Sequence, residues 1–251
     1  MKAIIAFLAL FALPATVLAC PAPQPGVIFA SCAALSQVRL ALIEAEASAM
    51  SVETPDSALA LEVTGAYTSG ERVEPEGFFM VDGVTFDPYV QGWDGLAVID
   101  AAGALTLHHV ERVVLADTVY NLRQRGQRTA FVAAAEAAGA SALQSHLIVV
   151  DGLVDVRPSA DAPRYRRRII ATLPEGDYLL YDTGPRRLTL FEAAEEVAAR
   201  FGASMAFNLD MGSYDYCRMR DAHGARSCGA LDPGDTAKLS NLLIFTQDRP
   251  D

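Results

Sequence analysis

The sequence predicts an α+β fold, with a mixed, mainly antiparallel sheet and two or three packed helices. Three observations lead there. Short apolar runs are separated by turns at hairpin spacing, as in Leu96 to Ile99 and Leu105 to Val110 on either side of Ala101-Ala102-Gly103. Helical periodicity is confined to a few segments, of which 189–202 is the clearest. The 251 residues, 51% hydrophobic, suffice for one substantial core without requiring two domains.

At the amino end, Met1 to Ala19 carries one cation, Lys2, then an apolar stretch, Pro14 and a terminal Val17-Leu18-Ala19. Charge, length and the small residue at the end mark a secretory signal peptide, too short for a spanning helix. Residues 20–251 then form a single exported domain, periplasmic or secreted, with no transmembrane helix in the mature chain. Cleavage after Ala19 leaves Cys20 free to pair. The alternative reads Val17-Leu18-Ala19-Cys20 as a lipoprotein box with Cys20 acylated, for which Leu18 is a poor match. The four cysteines fall into two local pairs, Cys20 with Cys32 and Cys217 with Cys228. An even count in an oxidising compartment reads as disulfides and favours the soluble route.

Pro21 to Gly26 is an extended leader. Ala33 to Met50 is ambiguous: Leu35, Val38 and Leu42 suit a helix, whereas Val38, Leu40 and Leu42 alternate as a strand would. We read it as a helix. Leu61 to Tyr67 is a short strand, and Glu76 to Gly83 is a turn, an apolar strand and a second turn. Gly92 to Asp100 and Leu105 to Val110 form a hairpin. Thr118 to Gln127 is polar and mixed, and Thr129 to Ala138 is a helix that Gly139 ends.

Leu147 to Val150 is a strand closed by Asp151-Gly152, and Ile169 to Leu173 pairs with Tyr178 to Tyr181 across Pro174 to Asp177. Thr189, with Glu192 three residues on, has capping-box spacing; Leu190, Ala194, Val197 and Phe201 give the buried face, and Gly202 stops the helix. Met205 to Leu209 is the next strand, Pro233 to Thr236 a turn, and Leu242 to Phe245 the last strand.

The formal net charge of -11 argues against nucleic acid as a partner. An anionic ligand therefore needs a local basic cluster, and Arg164, Arg166, Arg167 and Arg168 form the dense one, placed before a strand. Alternation puts Arg166 and Arg168 on one face and Arg167 on the other. Ala206 to Cys217 gathers Asn208, Asp210, Ser213 and Asp215 where a buried strand ends, a place where a fixed backbone presents polar groups to a ligand. His108 and His109 point to opposite faces of a strand with no second pair at ligand spacing, so we assign them to the hairpin and expect no metal. His146 is a lone acid-base candidate. Gly212-Ser213-Tyr214 lacks nucleophile-elbow spacing, which argues against a serine hydrolase.

Several short motifs occur in order: Gly77-Phe78-Phe79, Gly95-Leu96-Ala97-Val98, Gln144-Ser145, Asp151-Gly152, the arginines before Ile169-Ile170-Ala171, Asn208-Leu209-Asp210, and Ser240-Asn241. That succession resembles the phosphodiester glycosidase family over residues 74–245. Met211 stands where the family has a glycine, and Glu76 where it has an asparagine.

The resemblance implies hydrolysis of a sugar 1-phosphodiester on a phosphorylated glycan or glycolipid, without a cofactor. It assigns Asp210 and Glu76 as the carboxylates, and Arg167, or Arg168 if the register shifts by one, as the phosphate ligand. Asn208, Gly212, Ser213, Gln144, Ser145 and Asn241 complete the expected substrate-binding set. A competing expectation is an inactive envelope or periplasmic module that binds carbohydrate or phosphate. A metal-dependent phosphodiesterase would instead need His108 and His109 to approach Asp210.

Overall fold

The computed structural model describes residues 25–31, 36–43, 59–70, 73–174, 176–221, 224–231 and 239–247. The signal segment, Cys20, Cys32 and the turn expected at 233–236 lie outside the described residues. The first strands are β1 (Val27–Ser31), β2 (Ser36–Leu42), β3 (Leu59–Thr64), β4 (Phe79–Val81), β5 (Val84–Asp87), β6 (Gly95–Ile99), β7 (Leu105–His109), β8 (Val113–Leu115) and β9 (Thr118–Tyr120). Helix α1 (Arg125–Ala138) precedes β10 (Ser141–Ser145), β11 (Leu147–Val150), β12 (Leu153–Val154), β13 (Arg168–Thr172) and β14 (Tyr178–Asp182). Helix α2 (Leu190–Phe201) precedes β15 (Met205–Leu209), a 3-10 turn at Gly212–Tyr214, β16 (Cys217–Asp221), β17 (Gly224–Ser227) and β18 (Asn241–Gln247).

Three sheets share one interior. Their strand orders are β1-β14-β13-β15-β11-β12, β5-β4-β10-β6-β7 and β17-β16-β3-β18-β2, with β8 and β9 as a separate ribbon. Every strand pairing among the described residues is antiparallel, so the sheet is not mixed as expected, and with two α-helices beside eighteen strands there the fold is sheet-dominated. One apolar cluster draws on all three sheets through Leu61, Phe79, Leu143, Phe207 and Phe245. The far face of the second sheet is covered by α1 through Phe131 and Ala135. The far face of the first is covered by α2 through Ala193, Ala194 and Val197. Burying both faces explains why β6 reads as a continuous apolar run rather than an alternating one, and why β10, although it carries Ser141, Gln144 and Ser145, is buried along its whole length.

Local chemistry fixes the ends of α2 as expected. Thr189 accepts from the Glu192 amide while the Glu192 carboxylate accepts from the Thr189 N–H, and Gly202 closes the helix in the left-handed conformation. The predicted pairings of β6 with β7 and β13 with β14 are both present. Residues 36–42, however, form a strand and not a helix. β18 pairs along the whole of β2, so Val38 and Leu40 turn inward while Gln37 and Arg39 face out, and tertiary pairing selects the period-2 reading. Helix α1 begins at Arg125, earlier than its apolar residues imply, because its first turn is exposed. The expected Cys217–Cys228 disulfide joins β16 to the residue after β17.

Candidate functional site

The site lies where β13 begins and β15 ends. These strands run antiparallel with Arg168 opposite Leu209, so the residues just before one and just after the other are neighbours. Beside them, the Asn208 amide bonds the carbonyl of His146, the single residue linking β10 to β11. The chain beyond β3 closes the floor. Asn241 clamps both backbone groups of Ala66 at 2.8 and 3.0 Å, and the Thr68 amide donates to Asp210 Oδ2 at 3.0 Å. The result is a cavity of about 550 Å³ lined by polar residues including Tyr67, His146, Asn208 and Asp210, with Arg166, Arg167 and Arg187 along one side.

Arg167 is 8% exposed, yet it pairs with no carboxylate among the described residues. Its guanidinium donates to the Leu188 and Pro163 carbonyls at 3.1 and 3.4 Å and stacks over the Tyr165 ring at 5.2 Å. Burial lowers its pKa, because leaving water disfavours the charged form. Arg166 reaches Asp215 at 3.2 Å from the opposite face of the strand and still contributes to the wall. Arg187 is exposed, and the paired backbone bonds between Tyr165 and Leu188 bring it to the rim.

Asp210 is 6% exposed, and burial pushes its carboxyl up to about 7 from 3.8. The amides of Met211 and Thr68, at 2.7 and 3.0 Å, oppose that shift, while the negative charge of Glu76 adds to it. Next to it, Asn208 donates to the Tyr67 hydroxyl at 2.7 Å and to the Leu209 carbonyl at 3.0 Å, leaving its buried Oδ1 without a partner. A buried acceptor left open in a cavity wall is a place for a ligand hydroxyl or amide. Burial also raises the Tyr67 phenol, keeping it protonated, and lowers His146, which Asp94 partly offsets.

The remaining expected residues separate into supports and outliers. Gln144 is wholly buried and braces the 91–93 loop, accepting from Gln91 N–H at 2.9 Å and donating to the Trp93 carbonyl at 2.7 Å. Gly77, at φ +81°, leaves room for it, since a Cβ there would lie 2.9 Å from Gln144 Oε1. Ser145 donates to the Asn208 carbonyl, and Asn241 acts through Ala66 as described. Gly212 lines the cavity, and so does Met211. Ser213 is exposed on the 3-10 turn, and Glu76 is near enough for its charge to act on Asp210, but neither of them is in the lining.

Arg168 turns away from the cavity. It is fully buried and bonds Asp182 at 3.0 Å, Asp215 at 2.7 Å and the Tyr216 carbonyl at 3.0 Å. Arg166 and Arg168 do share the Asp215 side, as strand alternation implies. His108 and His109 lie far from the roles a metallophosphodiesterase reading would give them: neither lines the cavity with Asp210. His108 contacts Thr106 at 2.8 Å, and burial lowers it to about 4. Sequence reasoning did not find Tyr67, Tyr165 or Arg187, whose places depend on contacts far along the chain.

No protein-family description and no curated protein matches this chain. Solved structures do. The zebrafish N-acetylglucosamine-1-phosphodiester alpha-N-acetylglucosaminidase catalytic domain, auto-inhibited by its pro-peptide, aligns with a TM-score of 0.54 at 11% identity, covering 85% of this chain and 73% of that one. The kinship shown is one of fold. A hypothetical protein from Synechocystis aligns with a TM-score of 0.50 at 12% identity over 90% of this chain and 57% of its own, so the chain spans little more than half of that protein.

Proposed function

We propose that the protein is an exported hydrolase that cleaves a sugar 1-phosphodiester, carried on a glycan or glycolipid, at the bond between the anomeric carbon and the bridging oxygen. The observation that carries this reading is Arg167, a buried guanidinium without a carboxylate partner among the described residues, facing the same cavity as a carboxyl poised near neutrality. The zebrafish structural neighbour is by name a glycosidase of a sugar 1-phosphodiester, which is the same chemical class. The Cys217–Cys228 disulfide suits an oxidising compartment, and among the described residues no helix is long and apolar enough to cross a membrane.

In this reading Arg167, with Arg166 and Arg187, holds the phosphodiester and offsets the charge gained as it leaves as a monoester. Asp210 as carboxylate takes a proton from the attacking water, whose oxygen bonds the anomeric carbon as the carbon–oxygen bond to phosphate breaks. The products are a free sugar and a phosphomonoester. Asn208 Oδ1 and the Tyr67 hydroxyl bind sugar hydroxyls. Glu76 acts through its field on Asp210, keeping that carboxyl's proton affinity high. The supporting shell of Gln144, Ser145 and Asn241 orients these groups without touching substrate.

The test is a panel of sugar 1-phosphodiesters assayed for released sugar. Wild type is expected to turn over at least one, Asp210→Asn to lose about a hundredfold or more in kcat, and Arg187→Ala to raise KM about tenfold with kcat little changed. Binding of the diesters without sugar release would refute hydrolysis and identify a sugar-phosphate-binding module, the reading favoured by Met211 in the cavity wall. Neither binding nor release would remove both.

A further inference from the structure

Outside the arginine-lined cavity, the ends of two hairpins, β6–β7 and β11–β12, bring Asp94, His109 and Asp155 together, with one ligand atom from each lying within 4.8 Å of the others. We propose that these three side chains form a divalent-cation site. It is independent of the hydrolase reading, since none of the three lines the cavity.

The backbone places the set firmly. Asp94 immediately precedes β6, whose first residue, Gly95, pairs with His109 at the end of β7. Asp155 follows β12 and is tied back by its amide to the Ile148 carbonyl at 3.0 Å. Asp94 is itself oriented, because its Oδ1 accepts the Leu147 amide at 3.1 Å and its carbonyl accepts the Val110 amide at 2.7 Å. The site therefore bridges the second sheet, through β6 and β7, and the first, through β11 and β12.

Two features separate this group from a chance gathering of surface acids. Neither Asp94 nor Asp155 has a Lys or Arg partner among the described residues, although ligand atoms of the two carboxylates lie within 4.8 Å of each other. An imidazole completes the set, and an unneutralised carboxylate pair beside an imidazole is the donor arrangement that a divalent cation satisfies.

Geometry and donor type narrow the metal. At bond lengths of about 2.0–2.2 Å and tetrahedral angles, ligand atoms on one ion lie about 3.3–3.6 Å apart, so the set closes by up to about 1.5 Å, which the exposed Asp155 permits. The Glu111 amide lies 3.2 Å from His109 Nδ1. Either ring nitrogen can ligate by giving up that one long hydrogen bond: Nδ1 by exchanging it, Nε2 by passing its proton to Nδ1. One nitrogen with two carboxylates favours Zn2+ or Mn2+ over Ca2+, with water filling the open positions.

The experiment uses the full mature chain, stripped with chelator and titrated with ZnCl2 or MnCl2 by calorimetry, alongside thermal melts. One equivalent of cation is expected to bind and raise Tm. Asp155→Asn and His109→Gln are each expected to weaken binding at least about tenfold and to abolish the Tm shift. Without metal, Asp155→Asn should melt no lower than wild type, since removing one of two facing carboxylates relieves repulsion; a merely structural Asp155 would lower it. Equal cation affinity in wild type and both variants, or no binding by wild type, overturns the proposal.

Discussion

Replacing Asp210 by Asn leaves the side chain's shape and removes its titration, so the variant measures what burial of this acid does to stability. The folded carboxyl sits at about 7 against an ordinary 3.8, a rise of about three units, worth about 4 kcal/mol at 1.36 kcal/mol per unit. The sign follows from which state holds the proton more tightly. Here it is the folded state, so the native fold is favoured fully below about pH 3.8 and loses that advantage progressively as pH rises through about 7.

The Asn variant has no such loss, but one of the two amides that Asp210 accepts, from Met211 or Thr68, would face an NH2 group. That costs about 1–3 kcal/mol at any pH. Asp210→Asn should therefore be less stable than wild type by about 1–3 kcal/mol at pH 4 and more stable by a similar amount at pH 8. Urea unfolding followed by fluorescence of Trp93 would report it, since that is the one tryptophan and its ring lies 4.8 Å from the Tyr67 ring. A stability difference that changes by less than about 1 kcal/mol between the two pH values would refute the assignment of a buried, proton-holding Asp210.

Two further variants probe the scaffold under the site. Arg168→Met strands Asp182 in the interior and leaves Asp215 with Arg166 alone, and should cost about 3–5 kcal/mol in urea unfolding; adding Asp182→Asn should recover part of it, because the stranded charge is removed. Replacing both Cys217 and Cys228 by Ala opens a loop of sequence separation 11 and should lower stability by about 3 kcal/mol. Phosphodiester affinity should persist, since neither cysteine lines the cavity, and its loss would show that the disulfide also shapes the site.

The parts of the molecule legible beforehand are those whose signal is local. The capping box at Thr189 and Glu192, the stop at Gly202 and the two short hairpins rest on residues a few positions apart, so spacing encodes them. The strand at 36–42 was not legible, because its residues fit both periods and its partner β18 lies some 200 residues away. The arginine run shows the same division. Alternation separates Arg167 from its neighbours, but that Arg168 is consumed by Asp182 and Asp215 follows only from the packing of β14 and the turn before β16. His109 is similar: adjacency to His108 argued against a metal, while Asp94 meets it across the β6–β7 hairpin and Asp155 approaches from the β11–β12 hairpin.

The sequence by itself determined a sheet-rich fold with helices, an acidic net charge, a local disulfide between Cys217 and Cys228, and a strand end at Asn208 to Asp210 with polar groups suited to a ligand. It also ordered the short motifs that resemble a phosphodiester glycosidase. Tertiary structure alone decided which polar groups share a cavity. It put Asp210 against Thr68 and within reach of the charge of Glu76, left Arg167 without a carboxylate among the described residues, set Gln144 and Asn241 behind the wall as supports, and lifted Asp210 toward neutrality. The reason is physical. Burial and field depend on everything within a few ångströms, and antiparallel pairing gathers those neighbours from distant parts of the chain.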